Sequence, residues 1–332
     1  MTPEALASLT TFGVAATAQR IVALRDAEDL QKITFDPDRD LVLGDGSNVL
    51  LAGDVPGTVW LNRLAGRQLS RRDGDRVAVR VGAGEPWHDV VRWTLDQGLS
   101  GLENLSLIPG RCGAAPLQNI GAYGVELAES LEAVEAWDWR DRQLVHLARE
   151  DCGFAYRDSR FKSGEPNRWL ITALHLSLST SYRPRLEYRG LREALGKEEV
   201  TAKNVSDAVI RLRRSKLPDP DRIGNAGSFF KNPVVEDAVA ERLRALDPPA
   251  PLYGQGDGSW KTSAAWLIEA AGWKGFREGD AGVSEQHALV LVNHGNATGA
   301  ELLSLARRIQ ADIRERFGIE LEPEPRIIEC SP

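Results

Sequence analysis

From Gly98 to Glu126 the chain has little helical or strand periodicity and is dense in Gly, Pro and Asn. The run includes Gly101-Leu-Glu-Asn-Leu-Ser-Leu-Ile-Pro-Gly110 and Gln118-Asn-Ile-Gly-Ala-Tyr-Gly124. An irregular stretch this long is unusual inside a globular chain unless it wraps a ligand. A ligand-lining loop is therefore favoured over a mere connector. The flanks are regular. Val77 to Val81 reads as a strand. Pro86 to Gln97 reads as a helix, with Trp87, Val90, Val91 and Leu95 on one face, Pro at its start and Gly98 just past its end. Val134 to Trp139 and Leu144 to Leu147 follow as a hairpin, and Leu170 to Leu178 as a strand with Leu174, Leu176 and Leu178 on one face.

Upstream, Val22 to Leu24 and Leu41-Val-Leu43 are short apolar runs, and the second leads into Gly44-Asp-Gly-Ser-Asn48. A dinucleotide fingerprint would need Gly or Ala at position 49, where Val49 stands. The glycines of Gly82-Ala-Gly84 fail the same test at Trp87. What remains is a turn whose backbone N–H groups could hold a phosphate, or a simple hairpin turn.

The second polar concentration is Asn225-Ala-Gly-Ser-Phe-Phe-Lys-Asn-Pro233, hydrogen-bonding residues around an aromatic pair that needs burial. Gly227 lets the backbone approach a ligand and Pro233 ends a ladder, so Ser228 is expected on a constrained turn. A capped tight turn is the plainer reading. In Phe154-Ala-Tyr-Arg-Asp-Ser-Arg-Phe161 the flanking aromatics pull Arg157 inward, where it could meet a carboxylate or pair with Asp158 or Asp151. Ser206 to Ser215 reads as a helix capped by Ser206, with Lys216 at its basic end. Further helices are expected from Val235 to Leu246 and near Ser263 to Ala271, and His287 to Asn293 reads as a strand. Thr298-Gly-Ala-Glu301 is a capping box before a long amphipathic helix with Leu302, Leu305, Ala306, Ile309, Ile313 and Phe317 as its buried stripe. The tail Leu321-Glu-Pro-Glu-Pro-Arg-Ile-Ile328 is extended and could dock on a sheet edge, aiming Glu324 inward or leaving it in solvent.

The 332 residues, 42% apolar and 27% charged, suit a soluble globular protein with a sizeable core. A net charge of −7 argues against a nucleic-acid or anionic-membrane surface. Cys112, Cys152 and Cys330 are scattered, and so are His88, His146, His175, His287 and His294. No disulfide framework and no metal site is expected. Met1-Thr-Pro-Glu-Ala lacks a basic region followed by an apolar block and no apolar run approaches the length of a membrane span, so neither a targeting segment nor a span is expected. The expected location is the cytoplasm.

Taken together, Leu43-Gly-Asp-Gly-Ser-Asn-Val-Leu50, Gly121-Ala-Tyr-Gly-Val-Glu126, Tyr156-Arg-Asp-Ser159, Gly227-Ser-Phe-Phe-Lys-Asn-Pro233 and Leu321-Glu-Pro-Glu324 resemble one family, the UDP-N-acetylenolpyruvoylglucosamine reductases known as MurB. The match runs in order from about Thr10 to Ile328. It implies an α+β fold. A two-subdomain FAD-binding half of the vanillyl-alcohol-oxidase (PCMH) type would cover 15–182. A tyrosine loop and connecting helix (183–214), an α/β substrate domain (215–322) and a tail returning to the FAD-binding half (323–332) would follow. Tyr188, in Leu186-Glu-Tyr-Arg-Gly190, resembles the tyrosine of the family's first subtype. The resemblance places non-covalent FAD against Gly44, Asp45, Gly46, Ser47 and Asn48, and against Pro109, Gly110, Gly113, Asn119, Gly121, Ala122, Tyr123 and Gly124. Arg111-Cys112 departs from the smaller residues usual after Gly110.

The implied reaction is NADPH-dependent reduction of UDP-N-acetyl-enolpyruvoylglucosamine to UDP-N-acetylmuramate, with NADPH and the nucleotide sugar using one cleft in turn. It needs a proton donor, a group to hold the carboxylate and a group to balance charge. By resemblance Ser228 protonates C2 after flavin N5 delivers hydride to C3, Arg157 binds the carboxylate and Glu324 lies on its other side. Tyr188, Lys216, Asn232, Lys261 and Lys274 resemble substrate-binding positions. A monomer is the expected state. The alternatives are another FAD oxidase of the superfamily acting on a sugar, or a flavin-free nucleotide-sugar binding protein.

Overall fold

The computed structural model of the chain describes residues 2–329, so Cys330 lies outside the described residues. Cys112 and Cys152 are buried thiols. The chain forms two compact units, one of Gln19–Asp45 with Pro56–Ser215, the other of Thr2–Ala18, Gly46–Val55 and the chain from Lys216 onward. No helix among the described residues is long and apolar enough to cross a membrane.

In the first unit, strands β1 (Thr17–Leu24), β2 (Leu41–Leu43) and β3 (Val55–Asn62) share a small sheet in the order β1-β3-β2, with β2 and β3 parallel. The larger sheet holds β4 (Arg67–Asp73), β5 (Arg76–Gly82), β6 (Leu131–Asp138), β7 (Gln143–Ala148) and β8 (Trp169–Ser179), antiparallel in the order β7-β6-β8-β5-β4. Its inward residues alternate as a half-buried sheet requires, with Val77, Val79 and Val81 meeting Leu174, Leu176 and Leu178. Helix α1 (Trp87–Asp96) lays Trp87, Val90 and Val91 onto this core. The run 98–126 is mostly irregular, as expected, with three short 3₁₀ turns and a tight hairpin that pairs Gly121–Ala122 with Val125–Glu126.

Gly82 and Gly84 are there for packing. A Cβ at either would fall 2.4 or 2.3 Å from the backbone of Leu64 or Arg63, and their N–H groups bond to Gly66 and Leu64. Helix α2 spans Ala202–Lys216, earlier than expected, and begins after Thr201, whose Oγ1 accepts from the Asn204 N–H at 3.1 Å. Ser206 is not a cap. It is a buried interior residue whose hydroxyl pairs with Ser106 at 2.7 Å, because Val205, Ala208 and Val209 turn that face inward.

In the second unit, strands β9 (Gly224–Ser228), β10 (Ala281–Val283) and β11 (Val290–Asn293) lie in the order β9-β11-β10 with Arg277–Glu278 at the edge. The strand expected from His287 starts only at Val290, because the Val290 N–H turns back to the His287 carbonyl. Val234–Val235, Trp260–Thr262 and Leu252–Gly254 make a small separate sheet. Helix α3 (Gly299–Phe317) carries the capping box, and Leu302, Leu305, Ala306, Ile309 and Ile313 are buried. Phe317 is only half-buried, beside Trp266. The tail docks as strand β12 (Arg326–Ile328), parallel to Val49–Leu51.

Where α3 starts, Gly299 lies so close to Val49–Leu51 that a Cβ would fall 1.7 Å from the Leu51 carbonyl oxygen. Backbone cannot yield as a side-chain tip can. Gly299→Ala should therefore lower the unfolding free energy by about 3 kcal/mol. A denaturant titration showing a loss under about 0.5 kcal/mol would refute this close contact.

Candidate functional site

In the first unit, the turn after β2 carries Gly44 and Asp45. Arg111 Nε donates to the Asp45 carboxylate at 2.5 Å, Arg63 Nη2 lies 3.6 Å from it, and Arg63 Nη1 donates to the Gly44 carbonyl at 3.0 Å. The unexpected Arg111 thus covers the one acidic side chain of this turn. Next to it, the Gly113 N–H bonds to the Ala83 carbonyl, and a Cβ on Gly113 would meet Ala83 at 2.8 Å. Asn119, with φ +43, is used up in shaping its own loop, donating to Glu126 at 2.7 Å and accepting from the Ala128 N–H at 3.0 Å.

Arg157 occupies a two-residue turn closed by paired hydrogen bonds between Ala155 and Asp158, and its φ is +55. A non-glycine residue costs free energy in that conformation, the kind of local strain that clusters at functional sites. The guanidinium donates to the Gly121 carbonyl at 2.5 Å and lies 5.3 Å from the Tyr156 ring. The fit is close, since a Cβ on Gly121 would come within 2.9 Å of Arg157 Nη1 and push the guanidinium aside. Close by, the Tyr123 and Tyr188 rings meet edge to face with centroids 4.8 Å apart. Burial pushes the Tyr123 hydroxyl up to about 12. Arg213 shares this neighbourhood. Burial first, and the Arg157 charge, lower its pKa, while Tyr123 and Tyr188 oppose the shift. Sequence reasoning missed Arg213, which reads as one charge among several at a basic helix end.

In the second unit, Gly46 has φ +57, and a Cβ there would fall 2.5 Å from the Leu9 carbonyl oxygen, so no other residue fits. Asn48 Nδ2 reaches the Glu324 carbonyl at 3.4 Å, and the Asn48 carbonyl accepts from the Arg326 N–H at 3.0 Å. Ser228 stands at the end of bulged strand β9 rather than on a turn. Asn225 makes the bulge by accepting from the Gly227 N–H at 2.9 Å, and Gly227 takes φ +70. Phe229 and Phe230 are buried and pack edge to face. The Phe229 N–H bonds to the Leu289 carbonyl at 2.7 Å, and the Phe229 carbonyl accepts from the Glu324 N–H at 2.8 Å. The structure therefore brings Ser228 and Glu324 onto neighbouring segments of one unit. The Lys231 N–H to Glu322 carbonyl bond at 2.9 Å sets the register together with the Glu324–Phe229 bond, and the side chains of Lys231 and Glu322 form an ion pair at 2.5 Å.

The remaining expected residues of this unit are spread more widely. Asn232 Oδ1 accepts from the Ala264 N–H at 3.0 Å, at the start of the helix Ala264–Ala270. Lys261 sits mid-sheet opposite Val234 and Tyr253. Lys274 pairs with Glu269 at 2.9 Å. Half-buried His287 gathers Lys216 and Lys274 around it, and its pKa is lowered by burial first and then by those two charges. The sequence reading placed His287 only at the start of a strand and gave it no role in a site, because nothing local marks it as one.

Residues 18–148 match the family model of an FAD binding domain, and 219–328 match that of the C-terminal domain of UDP-N-acetylenolpyruvoylglucosamine reductase. The chain is 51% identical over 331 residues to the UDP-N-acetylenolpyruvoylglucosamine reductase of Xanthomonas euvesicatoria, covering 97% of this chain and 94% of the relative. It is 49% identical over 324 residues to that of Pseudomonas aeruginosa, covering 96% and 95%. The crystal structure of the Thermus caldophilus UDP-N-acetylenolpyruvylglucosamine reductase superposes with a TM-score of 0.69 at 30% identity, over 99% of this chain and 98% of that one.

His287 supplies a pH prediction. Its folded pKa lies below the ordinary 6.5, so the unfolded chain takes up the proton first. The stability it contributes is complete above that value and falls as pH drops toward the folded pKa, by at most about 1.4 kcal/mol per pH unit. His287→Gln should flatten the decline between neutral and mildly acidic pH relative to wild type. Superimposable pH–stability curves would contradict this.

Proposed function

This chain belongs to the UDP-N-acetylenolpyruvoylglucosamine reductase family, and from that premise we propose how its residues divide the reaction. It is an FAD-dependent oxidoreductase that reduces UDP-N-acetylenolpyruvoylglucosamine to UDP-N-acetylmuramate with NADPH, a step in peptidoglycan precursor synthesis. Non-covalently bound FAD supplies the two-electron chemistry.

Fit to the flavin phosphates is a question of charge. Asp45 would repel them, and Arg111 at 2.5 Å with Arg63 at 3.6 Å offsets that carboxylate, so the residues suit an anionic group. Gly44, Asp45, Gly46, Ser47 and Asn48 would hold it together with Pro109, Gly110 and Gly113 and the loop of Gly121, Ala122, Tyr123 and Gly124, which Asn119 shapes. The domain layout proposed is 15–182 for FAD, 183–214 for the tyrosine loop and its helix, 215–322 for substrate and 323–332 for the returning tail. The pairing of β12 with Val49–Leu51, inside the FAD-binding match, supports that return.

Ser228 Oγ would give a proton to C2 of the enolpyruvyl group and be recharged through a water or lysine relay. Arg157 would grip the substrate carboxylate with its planar fork. Glu324 would lie on the other side and balance the charge that develops. Tyr188, Lys216, Asn232, Lys261 and Lys274 would bind the nucleotide sugar, with Tyr188 closing over the diphosphate. The enzyme would work as a cytoplasmic monomer on its two small-molecule partners, with no nucleic-acid or membrane partner. The observation that supports this reading most is the Glu324 N–H to Phe229 carbonyl bond, which pairs the main-chain segment that carries Glu324 with the residue next to Ser228.

Ser228→Ala tests it. The variant should bind FAD and be bleached by NADPH as wild type is, yet reoxidise roughly 10²- to 10⁴-fold more slowly on adding the enolpyruvyl substrate. Loss of both half-reactions would make Ser228 structural, and unchanged reoxidation would remove it from the chemistry.

A further inference from the structure

The outer face of the larger sheet carries a polar row contributed by four adjacent strands. Arg80 on β5 lies opposite His175 on β8, and Glu135 on β6 lies opposite His146 on β7. Between β6 and β8, Glu135 lies opposite Ala173 and His175 opposite Ala133, so Glu135 and His175 are diagonal neighbours on one face and the His175 ring reaches the Glu135 carboxylate. Its Nε2 lies 2.6 Å from Oε1. Arg80 grips the same carboxylate with Nε at 2.7 Å and Nη2 at 2.6 Å. The His146 ring stands 5.6 Å from that of His175, and one possible ligand atom from each of Glu135, His146 and His175 lies within 4.8 Å of the others.

We infer that Glu135, His146 and His175 form a binding site for a divalent transition-metal ion of the zinc class. Two imidazoles and one carboxylate are the donor set that zinc, nickel and copper prefer, whereas magnesium and calcium ask for oxygen alone. A tetrahedral ion about 2.1 Å from each donor needs donor atoms about 3.4 Å apart. The Glu135–His175 pair must open by less than about 1 Å to meet that geometry, and exposed His146 swings in as third ligand. The ion takes the place of the hydrogen bond between Glu135 and His175, and water completes its shell. Arg80 stays bonded to the carboxylate and orients it, as outer partners of metal ligands do, although its charge opposes the ion. Bound there, the ion would tie edge strand β7 to β6 and β8. The three ligands are scattered in the sequence, which is why the linear reading expected no metal, and only the strand register assembles them.

Tag-free holoenzyme titrated with Zn²⁺ by calorimetry near pH 7.5 should bind one equivalent, and zinc should raise the melting temperature. His146→Ala removes an exposed side chain, so it should fold and keep its reductase activity while its zinc affinity falls at least 10-fold and the melting shift disappears. Arg80→Met should bind zinc more tightly than wild type, because the competing cation is gone. Absence of a bound equivalent, or affinity unchanged in His146→Ala, would overturn the site and leave an ion-pair network of Arg80, Glu135 and His175.

Discussion

Two main-chain hydrogen bonds organise the second unit, from the Glu324 N–H to the Phe229 carbonyl at 2.8 Å and from the Lys231 N–H to the Glu322 carbonyl at 2.9 Å. They join chain segments that are remote in sequence. Phe229 and Phe230 make the pairing stable, because both rings are buried and Phe12 packs on Phe229 from another remote segment. Burying aromatic surface of this size supplies several kcal/mol per ring, far more than either hydrogen bond contributes alone. The polar residues on the same strands can therefore be held in place without being buried themselves. The hydrophobic pair gives the rigidity, and Ser228 and Glu324 inherit it.

The first unit solves a different problem, that of keeping a charged group presentable without losing its position. Arg157 is placed by a strained two-residue turn, anchored to the Gly121 carbonyl and flanked by the Tyr156 ring. Strain of this kind persists only when the surroundings over-determine it, and here the paired Ala155–Asp158 bonds and the Gly121 carbonyl that holds the guanidinium do so. Arg111 answers the related question at Asp45, where an acidic residue would otherwise spoil a turn suited to anions.

Much of this was legible in the sequence. The helices α1 and α3 announce themselves by periodic apolar faces and by a capping box whose two hydrogen bonds form as expected. The buried leucines of β8 follow from strict alternation. The run 98–126 reads as irregular because its composition leaves no regular option. Elsewhere local signals lost to tertiary packing. Ser206 looks like a cap, yet the apolar residues around it bury it inside α2. His287 looks like the start of a strand, yet its carbonyl closes a turn. Arg213, His287 and the meeting of His146 with His175 depend on contacts between distant segments, which no window along the chain can display.

The most direct measurement is a crystal structure of the enzyme with FAD and the enolpyruvyl nucleotide sugar bound. The account predicts Ser228 Oγ within proton-transfer distance of C2, about 3–3.5 Å, with the Arg157 guanidinium on the substrate carboxylate and the Glu324 carboxylate facing it from the other side. A complex in which the enolpyruvyl group lies away from Ser228 and Glu324, or in which its carboxylate is held by a residue other than Arg157, would contradict it.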